Sequence, residues 1–124
     1  MNKYQHLFSP IKIGTVEVPN RIALLPMGVF SPRMMNNDGS YTKDGADYYI
    51  ERAKGGTGLI ITGLVPVPKG AGLPSIVNDV KSYTENMKYL ADGVHKYGSK
   101  VFVMLTAMSG RASIPVSYTH LTLP

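Results

Sequence analysis

The chain has 124 residues, of which 44% are apolar, 17% charged and 9% aromatic; this is the balance of a globular chain, and its length allows one domain at most. It contains no cysteine, which excludes disulfides, thiolate nucleophiles, iron–sulfur ligands and cysteine-based zinc sites within these residues and leaves redox chemistry to a bound organic cofactor. The net charge of +5 does not mark a nucleic-acid partner: the lysines are spread from Lys3 to Lys100, acids stand beside them as in Lys43-Asp44, and no aromatic-flanked basic stripe forms.

The longest apolar runs, Ile22 to Met27 and Val101 to Leu105, fall far short of the roughly 20 residues of a membrane-spanning helix. The start, Met1-Asn2-Lys3-Tyr4-Gln5-His6, has no signal-peptide core. The expectation is a cytoplasmic protein with neither a membrane nor a nucleic acid as partner.

In chain order, Ile11 to Val18 alternates apolar and polar residues on either side of Gly14-Thr15, the pattern of a tight hairpin. Arg21 to Leu25 is apolar without alternation, as in a strand buried on both faces of a parallel sheet, and stops at Pro26. Asn36-Asn37-Asp38-Gly39-Ser40 signals a loop. A helix follows, with Thr42 as N-cap, Asp44 and Asp47 in its first turns, Ala46, Tyr49, Ile50 and Ala53 on one face, and Gly55-Gly56 closing it. Gly58 to Thr62 is a second buried strand, and Gly63 to Val80 a long Gly/Pro-rich loop. Met87, Leu90, Ala91 and Val94 form a second helical face with Thr84 as candidate cap and Gly98 as terminator, and Lys100 to Leu105 is a third buried strand.

Buried strands alternating with amphipathic helices mean parallel β/α units, whose function sits beyond the carboxyl ends of the strands. Those ends carry Pro26-Met27-Gly28, Thr62-Gly63-Leu64 and Met104 through Arg111. Gly70-Ala71-Gly72 does not directly follow a strand and so is not a dinucleotide loop; no phosphate loop or metal-spaced histidine pair is present, and His95 is read as solvated. Periodicity alone ends at an unassigned α/β chain.

Three blocks then carry a family resemblance: Leu7 to Gly14 with Val18 to Ile22 and Pro26 to Gly28, Tyr48 to Gly63, and Gly98 to Thr106 through Gly110-Arg111. In order and spacing these resemble the start of the old yellow enzyme family of flavin-dependent oxidoreductases, most of all its 2,4-dienoyl-CoA reductase and enoate reductase branch. The resemblance implies an FMN-binding (β/α)₈ TIM barrel, of which this chain is the amino-terminal part, a hairpin plus about three β/α units, since a whole barrel takes about 250 residues. It also implies hydride transfer from NADH or NADPH through the flavin to an activated carbon–carbon double bond in a small enone, enoate or enoyl-CoA-type substrate.

Carried over by position, the resemblance puts Leu25, Pro26, Met27 and Gly28 along the flavin, Phe30 against the substrate, and Gly63, Leu64 and Met104 beside the flavin. Gly28 replaces the cysteine or threonine of many relatives, Phe30 their tyrosine, and Met104 a glutamine that hydrogen-bonds the flavin ring. Methionine packs against a ring but cannot reproduce an amide's paired donor and acceptor. Without the resemblance, Met27, Phe30 and Met104 read as core residues. The resemblance also implies that the catalytic residues belong to later strands, as would any 4Fe–4S cluster and FAD. No metal ligands are assigned, and oligomeric state is not encoded here.

Residues 1–115 are taken as the barrel portion. Val116-Ser117-Tyr118-Thr119-His120-Leu121-Thr122-Leu123-Pro124 no longer resembles the family and reads as a direct translation of GTC TCT TAT ACA CAT CTG ACG CTG CCG, a string that looks like a transposon adapter used in sequencing libraries. Residues 116–124 are therefore expected to be read-through, and His120 is no catalytic candidate. The alternatives are a phosphate-binding (β/α)₈ aldolase or isomerase, which would typically place a lysine or carboxylate at a strand end, and an inactive fragment.

Overall fold

A computed structural model describes residues 4–27, 31–67 and 79–106. Strands β1 (Ile11–Ile13) and β2 (Val16–Val18) form the expected antiparallel hairpin, pairing Ile11 with Val18 and Ile13 with Val16. Gly14 takes φ +59° in the turn, the left-handed conformation that a tight hairpin asks of glycine.

Strands β3 (Ala23–Leu24), β4 (Leu59–Pro66) and β5 (Lys100–Thr106) make a parallel sheet in the order β3-β4-β5. Helix α1 (Lys43–Lys54) connects the first pair and α2 (Val80–His95) the second. These are the parallel β/α units expected from the alternation of patterns. Thr42 caps α1, its side chain accepting from the Gly45 amide at 3.1 Å. Gly45 itself is required, because a Cβ there would lie 2.2 Å from the Met34 carbonyl oxygen. Gly58, which opens β4, is pinned in the same way: its Cβ would meet Asn20 side-chain and backbone atoms within 3 Å. Asn20 donates to the Gly56 carbonyl at 2.8 Å and accepts from the Ile22 amide at 3.0 Å, tying the start of β3 to the end of α1.

The core lies between the helices and one face of the sheet. Ala46, Tyr49 and Ala53 of α1, Met87, Leu90 and Val94 of α2, and Ile60 and Val65 of β4 form one buried cluster, joined by partly buried Leu24 and Val101. Full burial of a side chain such as Leu90 or Ile60 stabilises by roughly 1.5–3 kcal/mol. No helix among the described residues is long and apolar enough to cross a membrane.

Four expectations are corrected. The α2 cap is Asp79, whose carboxylate accepts from the Ser82 amide at 3.0 Å, and Thr84 lies inside the helix with its hydroxyl on the Val80 carbonyl. The second strand does not end at Thr62 but runs to Pro66, because a bulge takes Gly63 into the sheet. The first strand is only two residues long. The first and third strands are not buried on both faces: Leu25 is 69% exposed and Phe102 38%, since helices cover one face only. Gly28, Phe30, most of the second loop including Gly70 to Pro74, Gly110-Arg111 and residues 116–124 lie outside the described residues.

Candidate functional site

Strand register sorts the side chains by face. In a strand, successive residues point to opposite sides, and Leu24, Ile60 and Val101, which are neighbours in the ladder, pack against the helices. Leu25, Ile61 and Phe102 therefore point to the opposite, inner face. Strict alternation would return Thr62 to the helix side, Gly63 to the inner face and Leu64 to the helix side. The register changes instead: Ile61 pairs with Phe102, but the next pair is Leu64 with Met104, so β4 advances three residues while β5 advances two. This one-residue bulge puts Leu64 beside Met104 on the inner face and turns Val65, 0% exposed, into the core.

A bulge leaves backbone groups outside the ladder, and buried ones need partners. Two tyrosines supply them. The Gly63 amide donates to the Tyr49 hydroxyl at 2.9 Å, Tyr49 donates to Tyr41 at 3.3 Å, and Tyr41 donates back to the Gly63 carbonyl at 2.9 Å, closing a ring of three hydrogen bonds. Thr62 adds a second donor to that carbonyl at 3.0 Å and accepts from the Met104 amide at 3.4 Å, carrying the network across to β5. The two tyrosine rings meet edge to face, 5.0 Å between centroids. Burial foremost, then the hydrogen bond from Tyr49, pushes the Tyr41 phenol well above its ordinary range, so it stays a neutral donor.

Among the expected site residues, Leu25, Leu64 and Met104 share the inner face, and Met27, 63% exposed, extends from the end of β3. Pro26 lies between Leu25 and Met27, while both polar backbone groups of Gly63 are turned toward the tyrosines. At these strand ends the inner face is apolar and carries no charged side chain among the described residues. Periodicity does not reveal the tyrosine ring: it puts Tyr49 on the apolar helix face, and Tyr41 follows directly on the Asn36–Ser40 loop signal. The available signal was the residue type, because a buried tyrosine brings a hydroxyl that needs a partner.

A separate polar cleft of about 530 Å³ lies between the 36–42 loop and the start of α2, lined by Asn36, Asp38, Lys43, Asp79, Ser82 and Asn86 among others. Burial raises the Asp38 carboxyl, but hydrogen bonding to Ser40, Ser82 and Asn86 outweighs it and leaves the group below its ordinary value.

Residues 6–120 match the model of the NADH:flavin oxidoreductase / NADH oxidase family. The chain belongs to this family. It is 44% identical over 121 residues to the cinnamate reductase of Clostridium sporogenes, covering 92% of this chain and 18% of that protein. It is 36% identical over 118 residues to the NADH oxidase of Thermoanaerobacter brockii, covering 93% of this chain and again 18% of the relative. Among solved structures, Old Yellow Enzyme from Pichia sp. AKU4542 superposes with a TM-score of 0.66 at 31% identity, over 81% of this chain and 26% of that one. The three-stranded β/α sheet is thus part of the TIM-barrel fold of these enzymes, and the chain spans less than a fifth of the two curated relatives.

Proposed function

We propose that this chain is the FMN-facing beginning of an NAD(P)H-dependent oxidoreductase that reduces an electron-poor carbon–carbon double bond. The observation that carries the reading is the apolar inner face at the strand ends, formed by Leu25, Leu64 and Met104 with Met27 beside them, in a chain of this family. The residues present fit the group. Thioether and branched apolar side chains pack against a flat conjugated ring, and function in this architecture lies at the carboxyl ends of the strands. FMN, when bound, supplies the hydride acceptor and donor between nicotinamide and substrate.

In this reading Leu25 to Gly28 and Gly63 to Leu64 line the flavin, Phe30 contacts the substrate, and Met104 packs on the ring without an amide's hydrogen bonds. The substrate class is an alkene conjugated to a carbonyl or carboxyl group, in keeping with the name of the cinnamate reductase relative. Proton donation falls to residues outside this chain, as do a 4Fe–4S cluster and FAD if the whole protein follows the dienoyl-CoA reductase branch. A nicotinamide reductant suits a cytoplasmic setting. We keep the barrel portion at residues 1–115 and the read-through assignment for residues 116–124, supported by the agreement of these nine residues with a translated adapter string; the family match takes in Val116 to His120. Genomic DNA continuous through those codons would reject the assignment.

The test is to recover the complete gene, express it and record its visible spectrum. Flavin bands bleached by NADH or NADPH and restored by an enone are expected. A colourless product that gains no such bands with added FMN would overturn the reading.

A further inference from the structure

The bulge in β4 decides which side chain stands next to Met104. With uninterrupted pairing after Ile61 and Phe102, Gly63 would oppose Met104 on the inner face and Leu64 would turn into the helices. With the bulge, Leu64 opposes Met104 and Val65 fills the core. A one-residue slip reverses every later side chain, so whatever holds the bulge sets the shape of the inner face.

Gly63 is held by Tyr49 of α1, by Tyr41 ahead of that helix and by Thr62 just before it in the strand. The Tyr49 hydroxyl takes the Gly63 amide, Tyr41 reaches its carbonyl, and Tyr49 is the link between them. The neighbouring Tyr48 stacks instead against the Arg52 guanidinium, 3.3 Å from its ring centroid, and its hydroxyl has no part in this ring. We propose that Tyr49, seconded by Tyr41, is a positioning residue for the cofactor: its hydroxyl locks the Gly63 bulge and so presents Leu64 and Met104 together to the flavin. This rests on the FMN reading above. Removing the Tyr49 oxygen strands the buried Gly63 amide, the costlier loss because among the described residues no other side chain accepts from it. Removing the Tyr41 oxygen leaves Thr62 still donating to the carbonyl.

The experiment compares Tyr49→Phe, Tyr41→Phe and Tyr48→Phe in the complete gene product, reading FMN dissociation constant, flavin absorption spectrum and hydrogen–deuterium exchange of the segment holding Gly63. Tyr49→Phe is expected to weaken FMN binding about tenfold, to change the flavin band shape and to speed Gly63 exchange. Tyr41→Phe should do the same to a smaller degree, about threefold in affinity, and Tyr48→Phe should stay within about twofold of the unsubstituted protein. If Tyr49→Phe does not fold, Tyr41→Phe carries the test. Variants that melt earlier but bind FMN with unchanged affinity and spectrum overturn the proposal and leave the tyrosines structural. If the unsubstituted protein binds no FMN, it is the functional reading that fails, and the cofactor role of Tyr49 falls with it.

Discussion

The two faces of the parallel sheet are built from the same kinds of residue and have opposite surroundings. On the helix side Ile60, Val65, Leu90 and Val94 are at 0% exposure. On the inner side Leu25 is 69% exposed and Phe102 38%, although leucine and phenylalanine are no less apolar than isoleucine and valine. Composition therefore cannot distinguish the faces; register and the placement of α1 and α2 can. The helix face is where the chain gains stability, and the inner face is where it has apolar surface to offer a ligand.

Substitutions on the two faces should consequently have separable effects. The largest is expected on the helix side. Leu90→Ala removes a fully buried side chain of α2 and should cost about 2–5 kcal/mol, read by chemical denaturation of the chain. A loss below about 1 kcal/mol would mean that the helix face is not the stabilising one. Thr42→Ala removes the acceptor for the Gly45 amide at the start of α1 and should cost about 1 kcal/mol, measured in the same way.

A smaller effect belongs to acid. The Asp38 carboxyl sits below its ordinary value of 3.8 despite burial, because polar neighbours led by Ser40 favour the charged form. A depressed carboxyl contributes stability that is present above the unfolded value and lost as pH falls through the folded one. Unfolding curves recorded from pH 6 downward should show that loss below 3.8 in the unsubstituted chain and a shallower one in Asp38→Asn. Identical acid limbs would show that Asp38 does not contribute. The smallest stability change is expected on the inner face, where Leu25→Ala should fall within about 0.5 kcal/mol while weakening FMN binding by the complete protein.

Much of this division was legible in the sequence, and the reasons for the gaps are physical. Thr42 as cap, the α1 face of Ala46, Tyr49 and Ala53, the α2 face of Met87, Leu90 and Val94, and the parallel order of three strands all follow from local chemistry and periodicity, and the structure has them. The reach of β4 to Pro66 was not legible, because Gly63 reads locally as a loop starter and its backbone groups are taken up in the sheet by tyrosines distant in sequence, Tyr41 and Tyr49. Thr84 rather than Asp79 reads as the cap because the apolar repeat begins late in α2, while the helix starts one turn earlier on Asp79. The exposure of Leu25 and Phe102 could not be read from an apolar run, which marks burial on one face as readily as on two. Leu25, Leu64 and Met104 were singled out through family resemblance; that they share a face depends on the bulge.

The central claim, that the inner face at the strand ends is the flavin side, is tested most directly by hydrogen–deuterium exchange of the complete gene product with and without FMN. Added protection is expected in the segments holding Leu25 to Met27, Gly63 to Leu64 and Met104, with α1 and α2 unchanged on their outer surfaces. Protection confined to the helices, or absent from all three strand ends while FMN is bound, would contradict it.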